Sequence, residues 1–119
     1  MQIGIDIVSI SRLENRLTQW PKLAARIFSE AELFYARGRP YPSQHLAARL
    51  AAKEAAFKAL GSGWPALSWL DVEVVSEGGR PALRLSGRAL AEAGDSELLL
   101  SLSHDADMAV AQVLFFPIS

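Results

Sequence analysis

Hydrophobic and polar positions alternate with a period of two over residues 2–8, which predicts a β-strand. The three isoleucines of this stretch fall on one face, and Gly4, Asp6 and Val8 fall on the other. Asp6 is unusual because aspartate is depleted in strands. Its carboxylate lies either on an exposed face or in a functional site, and the strand alone favours the exposed face.

A second period, close to 3.6 residues, begins after Ser43, a predicted N-cap, and predicts a long helix that ends at Gly61. Large apolar residues fall on one side of this helix and alanines cover most of the other, so it should be packed nearly all round and lie at the centre of the fold. Charged side chains on such a helix are costly unless they are paired, bind a metal or face a wet cleft. Four occur here: Arg49, Lys53, Glu54 and Lys58.

Capping boxes starting at Ser11 and Ser29 predict two shorter helices before the central one. After it, alternation predicts strands at 70–75 and 81–85 around Gly78 and Gly79. A short helix at 86–93 and strands at 98–103 and 108–116 complete the chain, the last two joined by a turn at 104–107. The order predicts one α+β domain over residues 1–119, a mainly antiparallel sheet packed on a long central helix.

Composition narrows the classes of protein. Half of the 119 residues are hydrophobic, which suits a globular domain, and the absence of cysteine excludes disulfides and agrees with a cytoplasmic protein. No apolar run is long enough to span a membrane. The net charge of −1 hides a basic first half, which offers a surface for an anionic partner but lacks the overall basic bias of a nucleic-acid binder.

Two carboxylates and a histidine stand out as candidate site residues: Asp6, Glu54 and His104. Two carboxylates with few other ligands suit Mg²⁺, which keeps several waters or takes phosphate oxygens, whereas a chain without cysteine and with two histidines disfavours zinc. Lys58 and the loop Gly61, Ser62 and Gly63 supply a cation, a hydroxyl and backbone N–H groups for phosphate. The ordinary alternative is that Glu54 and Lys58, four residues apart, form a helix-surface ion pair.

Basic residues recur on the predicted first helix and just after it: Arg12, Arg16, Lys22 and Arg26. They form either a solvated surface or a docking patch for an acidic protein.

Several stretches together resemble the holo-[acyl-carrier-protein] synthases, the short bacterial class of 4′-phosphopantetheinyl transferases. They are GIDIV at 4–8 with Arg12, RIFS at 26–29 with Glu32, ARLAAKEA at 48–55 with KALGSG at 58–63, GRP at 79–81 and SLSH at 101–104. Their order and spacing match the family over nearly the whole chain. Three positions depart from the family pattern: Ser62 replaces a frequent threonine, Arg80 a common lysine, and Phe57 a small polar residue.

The resemblance implies transfer of the phosphopantetheine arm of coenzyme A to a serine of an acyl carrier protein, with release of adenosine 3′,5′-bisphosphate. By similarity, Asp6 and Glu54 would hold Mg²⁺, and Glu54 would assist serine deprotonation directly or through water. Lys58 would contact phosphate, while residues 61–63, Pro81 and His104 would line the coenzyme A site. The basic residues would dock the acidic carrier, Arg12 foremost, and the chain would form a homotrimer with sites between subunits.

Two other functions fit the same residues. One is an Mg²⁺-dependent transferase acting on another nucleotide-like pyrophosphate, and the other is a non-enzymatic interaction domain in which Glu54 and Lys58 merely pair. His45 is interpreted as structural. Lys53 either reaches solvent along the apolar stripe or enters the site with Glu54, and only the resemblance favours the second.

Overall fold

The computed structural model describes residues 1–117, and it confirms the α+β prediction. Five strands and five helices follow one another along the chain, with a 3₁₀ turn at Trp69–Asp71. They are β1 (Gln2–Ser9), α1 (Ile10–Gln19), α2 (Leu23–Ile27), α3 (Glu30–Arg37), α4 (Pro42–Leu60), β2 (Val72–Glu77), β3 (Arg80–Leu85), α5 (Gly87–Ala93), β4 (Glu97–Asp105) and β5 (Met108–Phe116).

The strands form two antiparallel sheets, where the sequence predicted one. Strand β5 lies between β1 and β4 in a three-stranded sheet, and β2 pairs with β3 in a separate hairpin. The strands β4 and β5 are longer than predicted, so the turn between them shrinks to Ala106 and Asp107, and Ala106 takes a left-handed φ of 49°. His104 therefore lies at the end of a strand.

The alanine-rich helix α4 is the centre of the fold, as predicted. Six of its alanines are buried to within 1% exposure, and it packs against both β1 and β5. The contact with β1 is made possible by Gly4, because a Cβ atom at this position would lie 1.9 Å from the carbonyl oxygen of Ala55. The two backbones touch at this point, so every side chain that follows on the inner face of β1 lies close to α4.

Lys53 neither reaches solvent nor enters a site with Glu54, so both sequence interpretations are wrong. Its side chain is fully buried, and its Nζ lies 2.9 Å from Oε1 of Glu32, itself fully buried on α3. The same ammonium donates to the carbonyl oxygens of Trp69, at 3.1 Å, and Val72. Glu32 also accepts hydrogen bonds from the backbone N–H of Ser29 and Val74, so the pair joins α3, α4 and β2 with its polar atoms satisfied.

Two helices begin at residues other than those predicted. Helix α1 is capped by Ser9, two residues before the predicted Ser11, and α4 begins with Pro42 after Tyr41, without a side-chain cap from Ser43. Ser11 instead donates through its hydroxyl and backbone N–H to Asp107, which also accepts from the Ser9 hydroxyl. These bonds tie the start of α1 to the β4–β5 turn. The capping box at Ser29 and Glu32 is confirmed.

The isoleucine face of β1 is the exposed one. Ile3, Ile5 and Ile7 are each more than 55% exposed, whereas Gly4, Asp6 and Val8 face α4. Ile3 pairs across the sheet with Leu114, which pairs in turn with the half-exposed Leu99 of β4. Residues 1–117 thus leave this apolar face uncovered. Within residues 1–117, no helix has the length and hydropathy needed to cross a bilayer.

Candidate active site

Asp6 and Glu54 are brought together by the close contact between β1 and α4. Asp6 follows Gly4 by two residues on the strand face that packs against the helix, and its side chain is only 15% exposed. Glu54 is half-buried on the facing helix. One carboxylate oxygen, Oδ2 of Asp6, is buried and finds no hydrogen-bond donor in the part of the chain that the structure describes.

The environment of Glu54 disfavours its ionised form. Burial of the carboxyl group comes first, followed by a hydrogen bond to Asp6 and the negative charge of Asp6, and together they raise the pKa of Glu54 to about 8; Lys58 opposes the shift. Two carboxylates that cannot both ionise without cost are a recurrent feature of cation sites and of acid–base catalysis.

Lys58 pairs with Asp6 and not with Glu54, so the ordinary helix-surface ion pair is wrong. Its Nζ lies 3.1 Å from Oδ1 of Asp6 and donates to the carbonyl oxygen of Ile5 at 2.9 Å. An ammonium group has three N–H donors, so these contacts leave one for a ligand. The side chain is 58% exposed, which places that donor within reach of solvent.

The chemistry of this donor set fits a hard cation. Asp6 supplies a buried oxygen to which no N–H group or hydroxyl of residues 1–117 donates, and the carboxyl group of Glu54 can donate to Asp6 only while it is protonated. A divalent cation would favour ionisation of both groups. No cluster of three or more histidine, cysteine, aspartate or glutamate side chains occurs among residues 1–117, so the remaining ligands would be water or substrate oxygens, as Mg²⁺ prefers.

The loop after α4 offers fewer backbone donors than the sequence suggested. Gly61 adopts a left-handed φ of 79°, and its N–H and that of Ser62 both donate to the carbonyl oxygen of Phe57 at the helix end. Lys58 lies within one helical turn of this loop. Glu54 precedes Gly61 by seven residues, which is about 10 Å along the helix axis.

His104 and Pro81 line a pocket of about 190 Å³ that lies away from the carboxylates, between α4, the β2–β3 hairpin and β4. The Nε2 atoms of His104 and Gln44 are 3.0 Å apart. Arg49 lies in the same pocket; it is 8% exposed, its buried Nε has no partner among the described residues, and Nη1 makes one long bond of 3.4 Å to the carbonyl oxygen of His45. None of the side chains lining the pocket is acidic, so it suits an anion.

The pocket of Arg49 and the site of Asp6 and Glu54 are separate within one chain. Glu54 and Arg49 are five residues apart on α4 and thus about 140° apart around the helix. Glu54 instead lines a cleft of about 220 Å³ between β1, α1 and α4, together with Arg12 and Arg16. The structure therefore brings Asp6, Glu54 and Lys58 together, and His104 with Pro81, but it does not join the two groups.

The basic residues form a continuous surface that reaches this cleft. Arg16 lines both the cleft of Glu54 and a wider groove of about 630 Å³, whose other cations are Lys22 and Arg26. All four predicted docking residues are exposed, and none forms an ion pair with another described residue. The groove also contains Trp20, which is 61% exposed and adds an apolar surface among the charges.

Two functional candidates, Arg49 and Tyr35, were not identified in the sequence. Arg49 is one of the four charged residues of the alanine-rich helix, and the sequence pattern assigns it neither a partner nor a ligand. Tyr35 lies on α3 in an ordinary helical pattern. The available signal was the presence of an arginine on a helix packed all round, since a buried guanidinium requires a partner.

Comparison with known proteins places these features in a family. Residues 2–113 match the model of the 4′-phosphopantetheinyl transferase superfamily. The chain is 48% identical over 108 residues to a holo-[acyl-carrier-protein] synthase of Moorella thermoacetica. The aligned region covers 87% of this chain and 84% of that protein.

Two solved structures are similar over nearly their full length. The holo-[acyl-carrier-protein] synthase of Helicobacter pylori in complex with coenzyme A superimposes with a TM-score of 0.85 at 33% identity, covering 96% of this chain and 99% of the other. The synthase of Bacillus anthracis in complex with CoA (3′,5′-ADP) gives a TM-score of 0.80 at 37% identity, covering 96% and 94%.

Proposed function

Since the chain belongs to the 4′-phosphopantetheinyl transferase superfamily, we propose that it transfers the phosphopantetheine arm of coenzyme A to a serine of an apo acyl carrier protein. The observation that carries this proposal is the Asp6–Glu54 carboxylate pair at the inner end of a basic surface. The similar synthases that bind coenzyme A support the choice of donor. The absence of cysteine and the bacterial relatives favour a cytoplasmic reaction.

In the proposed reaction, the carrier serine oxygen attacks the phosphorus that bears pantetheine. A new O–P bond forms, the bond from that phosphorus to the bridging oxygen breaks, and adenosine 3′,5′-bisphosphate leaves. The serine proton passes to Glu54, directly or through a water molecule, once its carboxylate is ionised. Lys58 directs its remaining N–H donor to a pyrophosphate oxygen. Little covalent chemistry is required of the protein, so positioning and charge neutralisation carry most of the rate.

Asp6 and Glu54 would hold Mg²⁺, because together they offer a buried oxygen without a donor and a second carboxylate that the cation would ionise. When bound there, the cation neutralises charge that builds up on the pyrophosphate. Lys58 keeps Oδ1 of Asp6 in place, which leaves Oδ2 of Asp6 for the metal side.

The pocket of Pro81, His104 and Arg49 would take the third phosphate of coenzyme A, the monoester on the ribose. The pyrophosphate is already assigned to Lys58 and the carboxylates, and this pocket brings Arg49 together with His45 and His104 without an acidic side chain. Its volume of about 190 Å³ is below the usual range of whole-ligand pockets, so it suits one end group. Residues 61–63 would border the coenzyme near Lys58, with the Ser62 hydroxyl as the polar contact.

Arg12, Arg16, Lys22 and Arg26 would dock the carrier. Acyl carrier proteins of this family of reactions are acidic around their serine, and these four cations lack partners among residues 1–117. Because Arg16 lines both the groove and the cleft of Glu54, a carrier docked on the groove would present its serine to Glu54. The exposed indole of Trp20 would give the docked carrier an apolar contact.

A homotrimer would complete the site. The cleft of Glu54 and the pocket of Arg49 lie on different sides of α4, and we infer that one coenzyme uses the cleft of one chain and the pocket of another. The uncovered isoleucine face of β1, continued by Leu99 and Leu114, supplies an apolar surface for this association.

The deciding measurement is the intact mass of an acidic apo acyl carrier protein after incubation with this protein, coenzyme A and Mg²⁺. We expect a mass gain of one phosphopantetheine, which is lost with EDTA and reduced by orders of magnitude in Glu54→Gln. Glu30→Gln, which removes an exposed carboxylate on α3, should keep full activity. The absence of any gain with several folded carriers, while coenzyme A still binds, would favour a transferase that acts on a different acceptor.

A further inference from the structure

The pocket assigned to the ribose phosphate contains an aromatic ring that contacts two cations. The Cζ atom of Arg49 lies 4.1 Å from the centroid of the Tyr35 ring, and that of Arg39 lies 4.2 Å from the same centroid. His45 meets the ring edge-on at 5.6 Å. Tyr35 is thus the common neighbour of three groups that carry or can carry positive charge.

The two arginines lack a negative partner among the residues that the structure describes. Neither Arg39 nor Arg49 forms an ion pair with any residue in the described range 1–117. Glu32, the buried acid of α3, is already paired with Lys53. A buried guanidinium without a counter-ion is costly in isolation, and the negative face of an aromatic ring offsets part of that cost.

The field in the pocket is positive at neutral pH. Burial, followed by the charges of Arg49 and Arg39, lowers the pKa of His45 below its usual value. The positive charge therefore comes mainly from Arg49, which lines the pocket, and from Arg39, which contacts the ring of Tyr35 beside it. Burial also lowers the pKa of Arg49, and Tyr35 is the first of the groups that oppose this shift. Independently of that shift, the face of the Tyr35 ring lies 4.1 Å from Cζ of Arg49, where it attracts the guanidinium charge.

We propose that Tyr35 is a positioning residue, which holds Arg39 and Arg49 at the pocket so that both meet a phosphate monoester. The proposal rests on the proposed function, because it takes that monoester to be the ribose 3′-phosphate of coenzyme A. An unpaired arginine has a long, flexible side chain, and two of them close together repel each other. The ring fixes both guanidiniums before the ligand arrives, so less conformational freedom is lost on binding.

This role predicts discrimination between two coenzymes that differ by one phosphate. The wild-type protein should bind coenzyme A at least tenfold more tightly than 3′-dephospho-coenzyme A. Tyr35→Leu should weaken binding of coenzyme A about tenfold and binding of the dephospho form less than twofold, so the preference nearly disappears. Tyr35→Phe retains the ring and should keep the preference within about twofold.

Isothermal titration calorimetry of the full-length protein with each coenzyme measures these dissociation constants. Phe34→Leu is the matched control, because Phe34 is the adjacent residue on α3, is 80% exposed and does not line the pocket. Arg39→Gln, at an exposed position, tests the same arrangement should Tyr35→Leu not fold, and it should lower the preference at least threefold.

Two results would overturn the role of Tyr35 while leaving the proposed function in place. The first is an equal loss for both coenzymes in Tyr35→Leu, and the second is an unchanged preference in Arg39→Gln. A wild-type protein that binds neither coenzyme would overturn the proposed function together with this inference, and it would be recognised before any variant is compared.

Discussion

Glu54 is the residue at which burial and function compete most directly. Its carboxyl group lies half-buried beside Asp6, and its pKa of about 8 means that it is largely protonated at neutral pH without a cation. In the proposed reaction the same group must be ionised to accept a proton from a carrier serine or to hold Mg²⁺. The ionised form that this proposal requires would therefore be unfavourable until a cation or substrate binds.

The pKa of Glu54 leads to a prediction about the metal-free protein. Because the folded-state pKa is about 8 and the unfolded value is near 4.5, the folded protein holds an extra proton between these limits. This contribution to stability is fully present below pH 4.5 and is lost as the pH rises through 8. We expect the melting temperature of wild type to fall relative to that of Glu54→Gln between pH 5 and pH 8.5, measured by thermal unfolding with EDTA.

Saturating Mg²⁺ provides the complementary measurement. At pH 8 it should raise the melting temperature of the wild type and not that of Glu54→Gln, because the variant lacks one of the two carboxylates. The control is Glu30→Gln, whose curve should run parallel to that of the wild type at every pH. Parallel curves for Glu54→Gln would contradict the raised pKa.

The buried Lys53–Glu32 pair is the feature that holds the helices around the site in register. It joins α3 and α4 to the first residues of β2 through contacts at 2.9 to 3.1 Å. Lys53 precedes Glu54 directly, so the pair fixes the rotation of α4 that turns Glu54 toward β1. A buried ion pair of this kind matters for stability mainly because removal of one partner leaves the other charge buried without compensation.

Removal of one partner of this pair should therefore cost much more than removal of both. Lys53→Met should destabilise the protein by about 3–5 kcal/mol, because it leaves Glu32 buried and charged. The double variant Lys53→Met with Glu32→Gln should lose less than Lys53→Met alone, since the amide can still bond the N–H groups of Ser29 and Val74. Urea unfolding of both variants measures the difference.

Arg88→Met is the control for this series. It removes an ion pair with Glu92 in which the arginine is 66% exposed, and it should cost no more than about 0.5 kcal/mol. A loss for Lys53→Met as small as that of Arg88→Met would show that the buried pair does not hold the helices.

At this scale the sequence predicted most of the helices and strands but not their ends or their charged contacts. Periodicity revealed α4 and β1 because their apolar spacing is a local property of the chain. The cap of α1 was placed at Ser11 because the pattern that follows it resembles a capping box, whereas Asp107 engages Ser11 from 96 residues away. The partner of Lys53 was missed for the same reason, since Glu32 lies on another helix. Local patterns carry no information on such pairings.

The sequence identified site residues that the structure brings together but not their contacts, and the chemistry assigned to them stays a prediction. Asp6, Glu54 and Lys58 meet as expected, yet Lys58 turned out to pair with Asp6, because β1 crosses α4 at Gly4 and brings the strand carbonyls and carboxylate to that edge. The sequence also could not show that the isoleucine face of β1 is the exposed one. Alternation indicates that the two faces of a strand differ, but it does not indicate which of them is buried.

Association of the whole molecule can be tested by mixing two inactive variants. If each site takes Glu54 from one chain and Arg49 from another, Glu54→Gln and Arg49→Ala chains should restore activity to each other when co-refolded. Random mixing in a trimer gives about a quarter of sites with both residues intact. The measurement is carrier modification by the mixture, compared with each variant alone.

A third variant separates association from mere mixing. Ile5→Glu places a charge on the outward face of β1, and it should shift the protein toward monomers in analytical ultracentrifugation and remove the restored activity when both chains carry it. Activity in the mixture that stays at the level of the separate variants, while trimers form, would place both residues in one chain's site.

In the proposed trimer, the isoleucines that β1 turns outward would also link catalysis to the amount of protein made. Residues 1–117 of one chain leave them exposed, so a working site would exist only after three copies have met. Assembly rises as a high power of chain concentration, and a cell that doubles synthesis at low copy number gains more than twice the catalytic capacity. Dilution would lower the fraction of chains in trimers, and a dissociated chain would lack a complete site. Gene dosage would then set the working fraction of the enzyme as well as its quantity.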